Sequence, residues 1–325
     1  MLRFLSLPTP RKLQLLCFFI AQPMSKRRTS PLPHRDGIAP SFLQLPAGQW
    51  PDLLTFLITR FPHMPAEILR GRLERGEIVD HQGEVLNVAS SYQPNGRIWY
   101  YREVPEETPV PFSEHIIYQD ERLLVADKPH FLACIPAGRY LQETLLTRLR
   151  KSLGAPDIAP IHRLDRETAG IMLFSLDPAC RSGYHALFSE RDVAKEYEAI
   201  APFRADLELP RVHRSFMQEQ AGMFTMEEAP GEPNSETYIE LIEQRGAWAR
   251  YRLKPHTGKK HQLRTHLSAL GVPILNDPWY PKLLPEKGDD FSRPLQLLAR
   301  AIEFVDPFTG ENRHFESQRK LSWPE

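Results

Sequence analysis

The chain has 325 residues, and its 41 Lys and Arg balance 41 Asp and Glu, so its formal net charge is zero. Hydrophobic residues make up 41% and charged residues 25%, which excludes collagen-like, coiled-coil and wholly disordered chains. The sequence has three cysteines, none in C-x-x-C spacing, which excludes a disulfide scaffold and argues against a cysteine zinc site. At this length we expect about two domains.

The first residues include a short apolar run from Leu13 to Ala21. This run falls well below the roughly 20 residues needed to cross a bilayer, so we expect no membrane association. Arg11 and Lys12 precede it as in a signal peptide, but no clear small-residue cleavage site follows. We therefore expect a cytoplasmic protein whose residues 1–37 are disordered, with Met24 as an alternative translation start.

Residues 38–112 are predicted to form a small separate module. Its expected elements are two short helices followed by a strand–turn–strand, over residues 50–61, 65–75 and 77–86. Arginines at 70, 72 and 75 lie near the turn. The module could therefore present a basic helix to RNA, or it could be a plain helical cap.

Residues 113–325 form the larger predicted unit, which a proline-rich linker over 105–111 precedes. Strands are expected over 116–129 (two, with a turn), 170–176, 195–202, 237–243, 248–253 and 295–305, and helices over 178–191 and 259–270. Strands dominate without a regular βαβ alternation, which predicts an α+β fold with a central mixed or antiparallel sheet. The acidic segment 221–236 is expected to be a mobile loop.

The charges are segregated along the chain. Seven Lys or Arg lie between residues 245 and 264 without an acid, whereas residues 219–243 contain seven Glu and no Lys or Arg. A basic segment of this kind can bind phosphates even in a neutral protein. The alternative is that both segments are solvated faces.

Asp165 lies in the segment His162–Gly170, immediately before the predicted buried strand. Catalytic groups are common in loops at such strand edges. A carboxylate close to Arg163 and Arg166 should stay ionised, and it can then act as nucleophile or general base. The alternative is a structural Asp paired with a neighbouring Arg.

The segment Thr257–His266 is the second candidate for chemistry. Thr257 and Gly258 are expected to open a helix, so that backbone N–H groups together with Lys259 and Lys260 bind phosphate. The alternative is a solvated, lysine-rich helix start. Arg264 is expected to reach inward from this helix, where a partly buried guanidinium needs an anion, and Asp165 is the candidate.

Three histidines of this region, at 256, 261 and 266, are spaced five residues apart. On a helix of 3.6 residues per turn they cannot share one face, so a zinc site built on them is disfavoured.

In the segment Lys195–Ala199, Tyr197 alternates with two glutamates on a predicted strand and faces the opposite side. It could stack on a base, or it could be a core tyrosine.

Together and in this order, the motifs resemble the RluA-type family of pseudouridine synthases over about residues 113–310. The matching segments are Asp127–Pro129, His162–Asp165 with Thr168 and Gly170, Lys195–Ala199, and Thr257–His266 followed by Gly271–Ile274 and Asp277. The departures are Ala169 where Ser is usual, Lys259-Lys260 where Arg-Thr or Arg-Ser is common, and Asn276 where Gly is usual.

The resemblance implies a pseudouridine synthase catalytic fold for residues 113–325 and a small alpha-L-type RNA-binding-like module for residues 38–112. It implies isomerisation of uridine in structured rRNA or tRNA, by a monomer without cofactor or metal. Asp165 would be the catalytic carboxylate, Tyr197 would stack on the flipped uracil, and Arg264 would orient Asp165. The residues expected to contact RNA are Arg163, Lys259, Lys260 and His261.

Glu167 falls on a variable position of the family and is expected to be solvated. Two other functions remain open from the sequence. One is a noncatalytic protein that binds ribosomal or transfer RNA with the same surface. The other is a metal-dependent hydrolase built on the histidines, which their helical spacing disfavours.

Overall fold

A computed structural model describes residues 30–103, 106–285, 288 and 290–324. The expectations for the first 29 residues, including the apolar run and the alternative start, lie outside this range. The described residues divide into two compact units, one of residues 30–32 with 42–100, the other of residues 33–41 with those described from 101 onward. Within the described ranges, no helix is long and apolar enough to cross a bilayer.

The smaller unit contains two helices and a three-stranded sheet. The elements are β1 (Ser41–Gln44), α1 (Leu53–Arg60), α2 (Ala66–Glu74), β2 (Ile78–Val79) and β3 (Arg97–Tyr100), with sheet order β1–β3–β2. Helix α1 begins after Asp52, whose carboxylate accepts a hydrogen bond from the N–H of Thr55 at 2.7 Å. Apolar side chains of both helices, including Leu57 and Leu73, pack into one buried cluster.

The hairpin predicted over residues 77–86 pairs differently from the prediction. Strand β2 pairs with β3, opposite Tyr100 and Trp99, whereas Val85 forms a single bridge to Val79. The reason is that Ile98 and Trp99 of β3 are buried and provide the apolar partner strand. The arginines at 70, 72 and 75 do not all form an exposed basic face. Arg72 is buried and pairs with Glu77 at 3.1 Å.

The larger unit is built on an eleven-stranded sheet, so the predicted α+β fold with a mixed sheet is confirmed. Its strands are β4 (His115–Gln119), β5 (Leu123–Lys128), β6 (Ala159–Pro160), β7 (Ala169–Ser175), β8 (Val193–Pro202), β9 (Arg211–Glu219), β10 (Met226–Ala229), β11 (Ser235–Arg245), β12 (Trp248–Pro255), β13 (Leu297–Val305) and β14 (Asn312–Glu316). Its helices are α3 (Leu145–Leu153), α4 (Arg181–Glu190) and α5 (Gln262–Ala269). The main strand order is β10–β9–β11–β12–β8–β13–β7–β5–β4, with β14 beside β13 and β6 beside β7. Among these pairs, β13 and β7 run parallel and the others antiparallel.

The centre of this sheet is covered on both faces. Alternate residues of β5 and β7 enter two different clusters: Met172 and Phe174 pack into one, Ile171 and Leu173 into the other. Side chains of a strand alternate between the two faces of a sheet, so a strand buried on both sides needs a continuous apolar run. This explains why the sequence of β7, whose residues are all buried, is nearly continuously apolar.

Helix α5 packs across the neighbouring part of the sheet. Leu263 and Leu267 contact a cluster that also contains Ile239 of β11 and Leu253 of β12. The helix begins at Gln262, three residues later than predicted, because His261 has the left-handed φ of 55°. The prediction that Thr257 and Gly258 open this helix is therefore wrong.

Residues 221–236 are not the open loop that their acidity suggested. Strand β10 lies within this segment and pairs with β9, which the sequence reading missed. Met226 is buried, whereas Glu227, Glu228 and Ala229 are half-buried. Strand β10 lies at one end of the strand order, and an edge strand tolerates charged residues, so acidity alone did not exclude a strand here.

Candidate active site

A pocket of about 110 Å³ opens where the loop before β7, strand β8 and the chain leading into α5 meet. Its walls include the three predicted catalytic residues, Asp165, Tyr197 and Arg264. Of the four predicted RNA contacts, Arg163, Lys259 and His261 also line the pocket, whereas Lys260 does not. The fold thus brings together residues from three separate sequence motifs.

Buried side chains hold the backbone of the loop that carries Asp165. The ammonium group of Lys128 donates to the carbonyl oxygens of Arg166 at 3.1 Å and Leu132 at 2.8 Å. The thiol of Cys134 donates to the carbonyl of Leu164 at 3.0 Å. Burial lowers the pKa of Lys128 to about 8. Lys128 of the Asp-Lys-Pro motif, together with Cys134, therefore anchors the loop that carries Asp165, a role that the sequence analysis did not assign.

Arg264 links Asp165 to a second carboxylate, that of Asp277. Its Nε and Nη2 donate to the two oxygens of Asp277 at 2.8 and 2.6 Å, and its Nη1 donates to Asp165 at 3.0 Å. Arg264 is 1% exposed. Burial opposes its charge, but the two carboxylates outweigh that cost and raise its pKa above the ordinary value. The guanidinium is therefore charged, and its planar fork fixes the direction in which Asp165 points.

Aromatic rings enclose this guanidinium. Its carbon lies 4.3 Å from the ring centre of Trp279 and 5.4 Å from that of Tyr280. The backbone N–H groups of the same two residues donate to Asp277, at 2.9 and 3.2 Å. Such contacts restrict a long side chain to one orientation. The sequence analysis placed Asp277 in the third motif but gave it no role, and the structure makes it the second anion that the buried Arg264 requires.

His261 lies inside the pocket wall rather than on an open surface. Its Nε2 is 3.9 Å from Oδ1 of Asp165, and its Nδ1 is 2.9 Å from the hydroxyl of Tyr280. Burial lowers its pKa to about 4, so the ring is neutral at neutral pH. A neutral imidazole adds no positive charge for a phosphate, and its contact with RNA stays a prediction.

Tyr197 projects into the same pocket from β8. Burial, together with the neighbouring charge of Asp165, raises the pKa of its phenol. The hydroxyl is therefore protonated at neutral pH, where it can donate a hydrogen bond but is a poor base. The glutamates on either side face away, as the alternation predicted: Glu196 pairs with Arg252 at 2.9 Å and Glu198 with Arg300 at 3.0 Å.

The lysines at the pocket mouth differ in their surroundings. Lys259 is exposed and lines the pocket, whereas Lys260 pairs with Glu219 at 3.2 Å. Arg163 is exposed beside Asp165.

Lys195, to which the sequence analysis gave no role, also lines the pocket, and its ammonium group lies 3.4 Å from the carbonyl oxygen of Thr257. Burial lowers the pKa of Lys195.

The basic segment 245–264 is not the free phosphate-binding surface predicted from its charge. Six of its seven cations pair with carboxylates: Arg245 and Arg250 with Glu243, Arg252 with Glu240 and Glu196, Lys254 with Glu196, Lys260 with Glu219, and Arg264 with two aspartates. The register of β11 against β12 places Glu240 opposite Arg252 and Glu243 opposite Arg250. The acidic and basic segments therefore neutralise each other across one hairpin and its neighbours.

Glu167 is buried, so the expectation that it is solvated is wrong. Its Oε1 accepts from Arg166 at 2.6 Å, and its Oε2 has no hydrogen-bond partner among the described residues. The backbone carbonyl of Glu167 meets Nδ1 of His130 at 2.8 Å. Glu167 is buried because it lies at the end of this loop, two residues before the fully buried strand β7.

The histidines spaced at five residues do not converge. His256 is exposed, with its Nε2 3.5 Å from Arg191, whereas His261 faces Asp165 and His266 faces strands β9 and β11. These three side chains therefore offer no common metal site. Within the described ranges, one group of three potential metal ligands occurs, and it includes His266 with two residues of other elements.

Comparison with known proteins identifies the family that shares these motifs. The family described as RNA pseudouridylate synthase matches residues 122–269. The dual-specificity RNA pseudouridine synthase RluA of Haemophilus influenzae is 31% identical over 218 residues, which cover 62% of this chain and 92% of that protein. This match covers almost the whole of the bacterial relative.

The human pseudouridylate synthase RPUSD2 is 28% identical over 237 residues, which cover 72% of this chain. The chain spans 43% of that protein's length. Among solved structures, the human RNA pseudouridylate synthase domain containing 1 superposes with a TM-score of 0.53 at 24% identity, covering 66% of this chain and 86% of its own. This superposition shows that the chain and that human protein share a fold.

Proposed function

Since this chain belongs to the RluA-type family of RNA pseudouridine synthases, we propose that it isomerises uridine to pseudouridine in structured RNA, with Asp165 as the catalytic carboxylate. The observation that carries the proposal is the position of Asp165. Its carboxylate lies in a pocket beside Tyr197 and is held by a charged, buried arginine that is itself fixed by Asp277.

The reaction needs no net change in atoms or electrons. The bond between ribose C1′ and uracil N1 breaks, a bond between C1′ and C5 forms, and the proton of C5 is replaced by one on N1. A uridine within a stem must first leave the stack to reach a pocket of this kind, and extruded bases are commonly held between apolar or aromatic side chains. Tyr197 can stack on such a base, and Arg163 at the mouth can occupy the space that it leaves.

Asp165 has the geometry of a nucleophile or general base. Arg264 donates a hydrogen bond to one of its carboxylate oxygens and thereby orients it, while the other oxygen faces His261. Burial lowers the pKa of His261 and raises that of the Tyr197 phenol, so both are poor bases at neutral pH. Asp165 is the acidic side chain among the residues that line the pocket, and it can attack or accept a proton. Lys259 and Lys195 are proposed to hold the flanking phosphates.

The test is tritium release from RNA labelled at C5 of uridine, with tRNA and rRNA fragments assayed in parallel. Asp165→Asn keeps the size of the side chain and removes its charge, so single-turnover release should fall at least about a thousandfold while RNA binding survives. Glu190→Gln changes an exposed acid at the end of α4 and serves as the control. Appreciable turnover by pure Asp165→Asn would overturn the assignment, and a wild type inactive on every RNA would favour the noncatalytic alternative.

We propose ribosomal or transfer RNA as the substrate class. The support is the names of two relatives, the ribosomal large subunit pseudouridine synthase D of Pseudomonas aeruginosa and the mitochondrial tRNA pseudouridine(32) synthase of Saccharomyces cerevisiae. We also propose that the protein acts as a monomer in the cytoplasm. Cys134 and Cys180 are free and buried, in keeping with a reducing compartment. Sedimentation at working concentration and cell fractionation test these two points.

A further inference from the structure

A second group of chemistry-bearing side chains lies away from the Asp165 pocket. His213 of β9, Glu228 of β10 and His266 of α5 direct one potential ligand atom each toward a common point, and these atoms all lie within 4.8 Å of one another. Residues 213 and 228 belong to the hairpin that the sequence reading missed. The sequence offered no signal for this group, because its three members come from three different elements.

The distances within the group suit a small metal ion. Nε2 of His213 lies 2.7 Å, and Nε2 of His266 lies 3.9 Å, from Oε1 of Glu228. Zinc binds imidazole nitrogen and carboxylate oxygen at about 2.0–2.2 Å, so tetrahedral ligands are about 3.4 Å apart. The two separations bracket this value, and shifts below about 1 Å would equalise them.

Neighbouring groups orient His266 as they do in metal sites. Its Nδ1 is 3.0 Å from the hydroxyl of Thr237, which also meets Nε2 of Gln262 at 2.9 Å. The opposite ring nitrogen is thereby directed at the cluster. Metal-bound histidines almost always hold their second nitrogen in such a hydrogen bond, which fixes the ring orientation. Ser235, whose Oγ is 3.0 Å from Nε2 of His266, can supply or support a fourth ligand.

The cluster is buried but can be reached from solvent. The His266 side chain is fully buried, whereas those of His213 and Glu228 are 13% and 23% exposed. Glu228 lines a cavity of about 440 Å³ that is also bordered by Thr265 and Tyr280. An ion therefore has an entry path that does not pass through the Asp165 pocket.

We propose that His213, Glu228 and His266 bind one divalent transition-metal ion, with Zn²⁺ as the best-fitting probe. Two imidazoles and one carboxylate select zinc, nickel or copper over magnesium and calcium, which prefer all-oxygen sites. The three ligands come from β9, β10 and α5, so the ion would fasten the β9–β10 hairpin to the helix that carries Arg264. Its role is structural, and no step of the uridine reaction depends on it.

The first experiment titrates the full chain, stripped with a chelator, with Zn²⁺ in a calorimeter, and with Mg²⁺ as the comparison. We expect one Zn²⁺ per chain and no Mg²⁺ binding. Co²⁺ should give the strong absorption bands of four-coordinate geometry. Zn²⁺ at a hundredfold excess over Kd should raise Tm by roughly 5 °C. Substoichiometric Zn²⁺, or the weak spectrum of six-coordinate Co²⁺, would overturn the proposal.

The second experiment compares variants that keep the fold, as judged by circular dichroism. His213→Ala and Glu228→Gln should each weaken Zn²⁺ binding at least about tenfold, and should abolish the rise in Tm. The matched control is His314→Ala, because His314 forms an exposed pair with Glu316 at 3.0 Å on β14. Unchanged binding in both cluster variants, or an equal loss in the control, would show that the three residues form a hydrogen-bonded cluster without a metal.

Discussion

Asp165 and Arg264, 99 residues apart in sequence, are joined by a hydrogen bond of 3.0 Å between Oδ2 and Nη1. The other side of the same guanidinium is occupied by Asp277. Arg264 is therefore a rigid link, and the orientation of the proposed catalytic carboxylate depends on an aspartate that does not itself line the pocket.

This link predicts that Asp277 acts through Arg264. Asp277→Asn should lower the single-turnover rate of uridine isomerisation and also Tm, since removing one partner of a buried ion pair costs about 3–5 kcal/mol. Arg264→Lys keeps the charge but loses the fork, so the rate should fall about a hundredfold. RNA affinity should stay within a few-fold in both variants. A normal rate in folded Arg264→Lys would contradict the proposed orientation of Asp165.

The two neighbouring lysines should contribute unequally to RNA binding. Lys259 is exposed at the pocket, whereas Lys260 must first leave Glu219. Lys259→Ala should therefore flatten the slope of log affinity against log salt by about 0.7–0.9, the contribution of one phosphate contact. Lys260→Ala should change it less. Salt titrations of both variants against wild type measure this, and equal slopes in all three proteins would show that neither lysine touches phosphate.

Replacing Glu167 should affect stability more than chemistry. Its carboxylate is buried and pairs with Arg166 at 2.6 Å, beneath the loop that carries Asp165. Glu167→Gln keeps the shape but removes the charge, so the free energy of unfolding should fall by about 1–3 kcal/mol. The rate of the folded variant at saturating RNA should stay within a few-fold of wild type. A denaturant titration beside the tritium assay separates the two effects. A variant that keeps normal stability but loses its rate would contradict the prediction and would show that Glu167 takes part in the chemistry.

The stability of the fold should decrease below pH 6.5 partly because of His162. Burial, with a smaller contribution from Lys195, lowers its pKa to about 3, and its Nε2 accepts the N–H of Leu173 at 3.0 Å. In the unfolded chain the same ring takes up a proton near pH 6.5, so the unfolded state binds more protons as the pH falls. Stability is therefore lost on acidification, by at most about 1.4 kcal/mol per pH unit from this group.

His162→Gln should remove this part of the pH dependence. Chemical denaturation of wild type and variant between about pH 4 and pH 6 gives the two slopes, and the wild-type slope should be the steeper. Other buried histidines contribute to both proteins and cancel in the comparison. Parallel slopes would show that His162 does not titrate differently on folding.

The amino-acid sequence was sufficient for the predictions that rest on local patterns. The apolar run of β7, the alternation around Tyr197 and the leucines of α5 each predicted an element and the side it buries. The motif order indicated the family, and the need of a buried guanidinium for an anion predicted the contact between Arg264 and Asp165. The elements could be predicted because side-chain periodicity is a local property of the sequence. The contact could be predicted because a buried charge needs a partner of opposite charge, and the motifs named the partner.

The tertiary structure decided everything that depends on register between distant strands. The charge of the basic segment, read locally, predicted a phosphate-binding surface, but β11 sets Glu240 and Glu243 opposite Arg252 and Arg250. The same sheet buries Glu167 and brings His213, Glu228 and His266 together. Which charges neutralise each other, and which ligands converge, is fixed by strand order and helix packing, because electrostatic and coordination energies depend on distance in space rather than on separation along the chain.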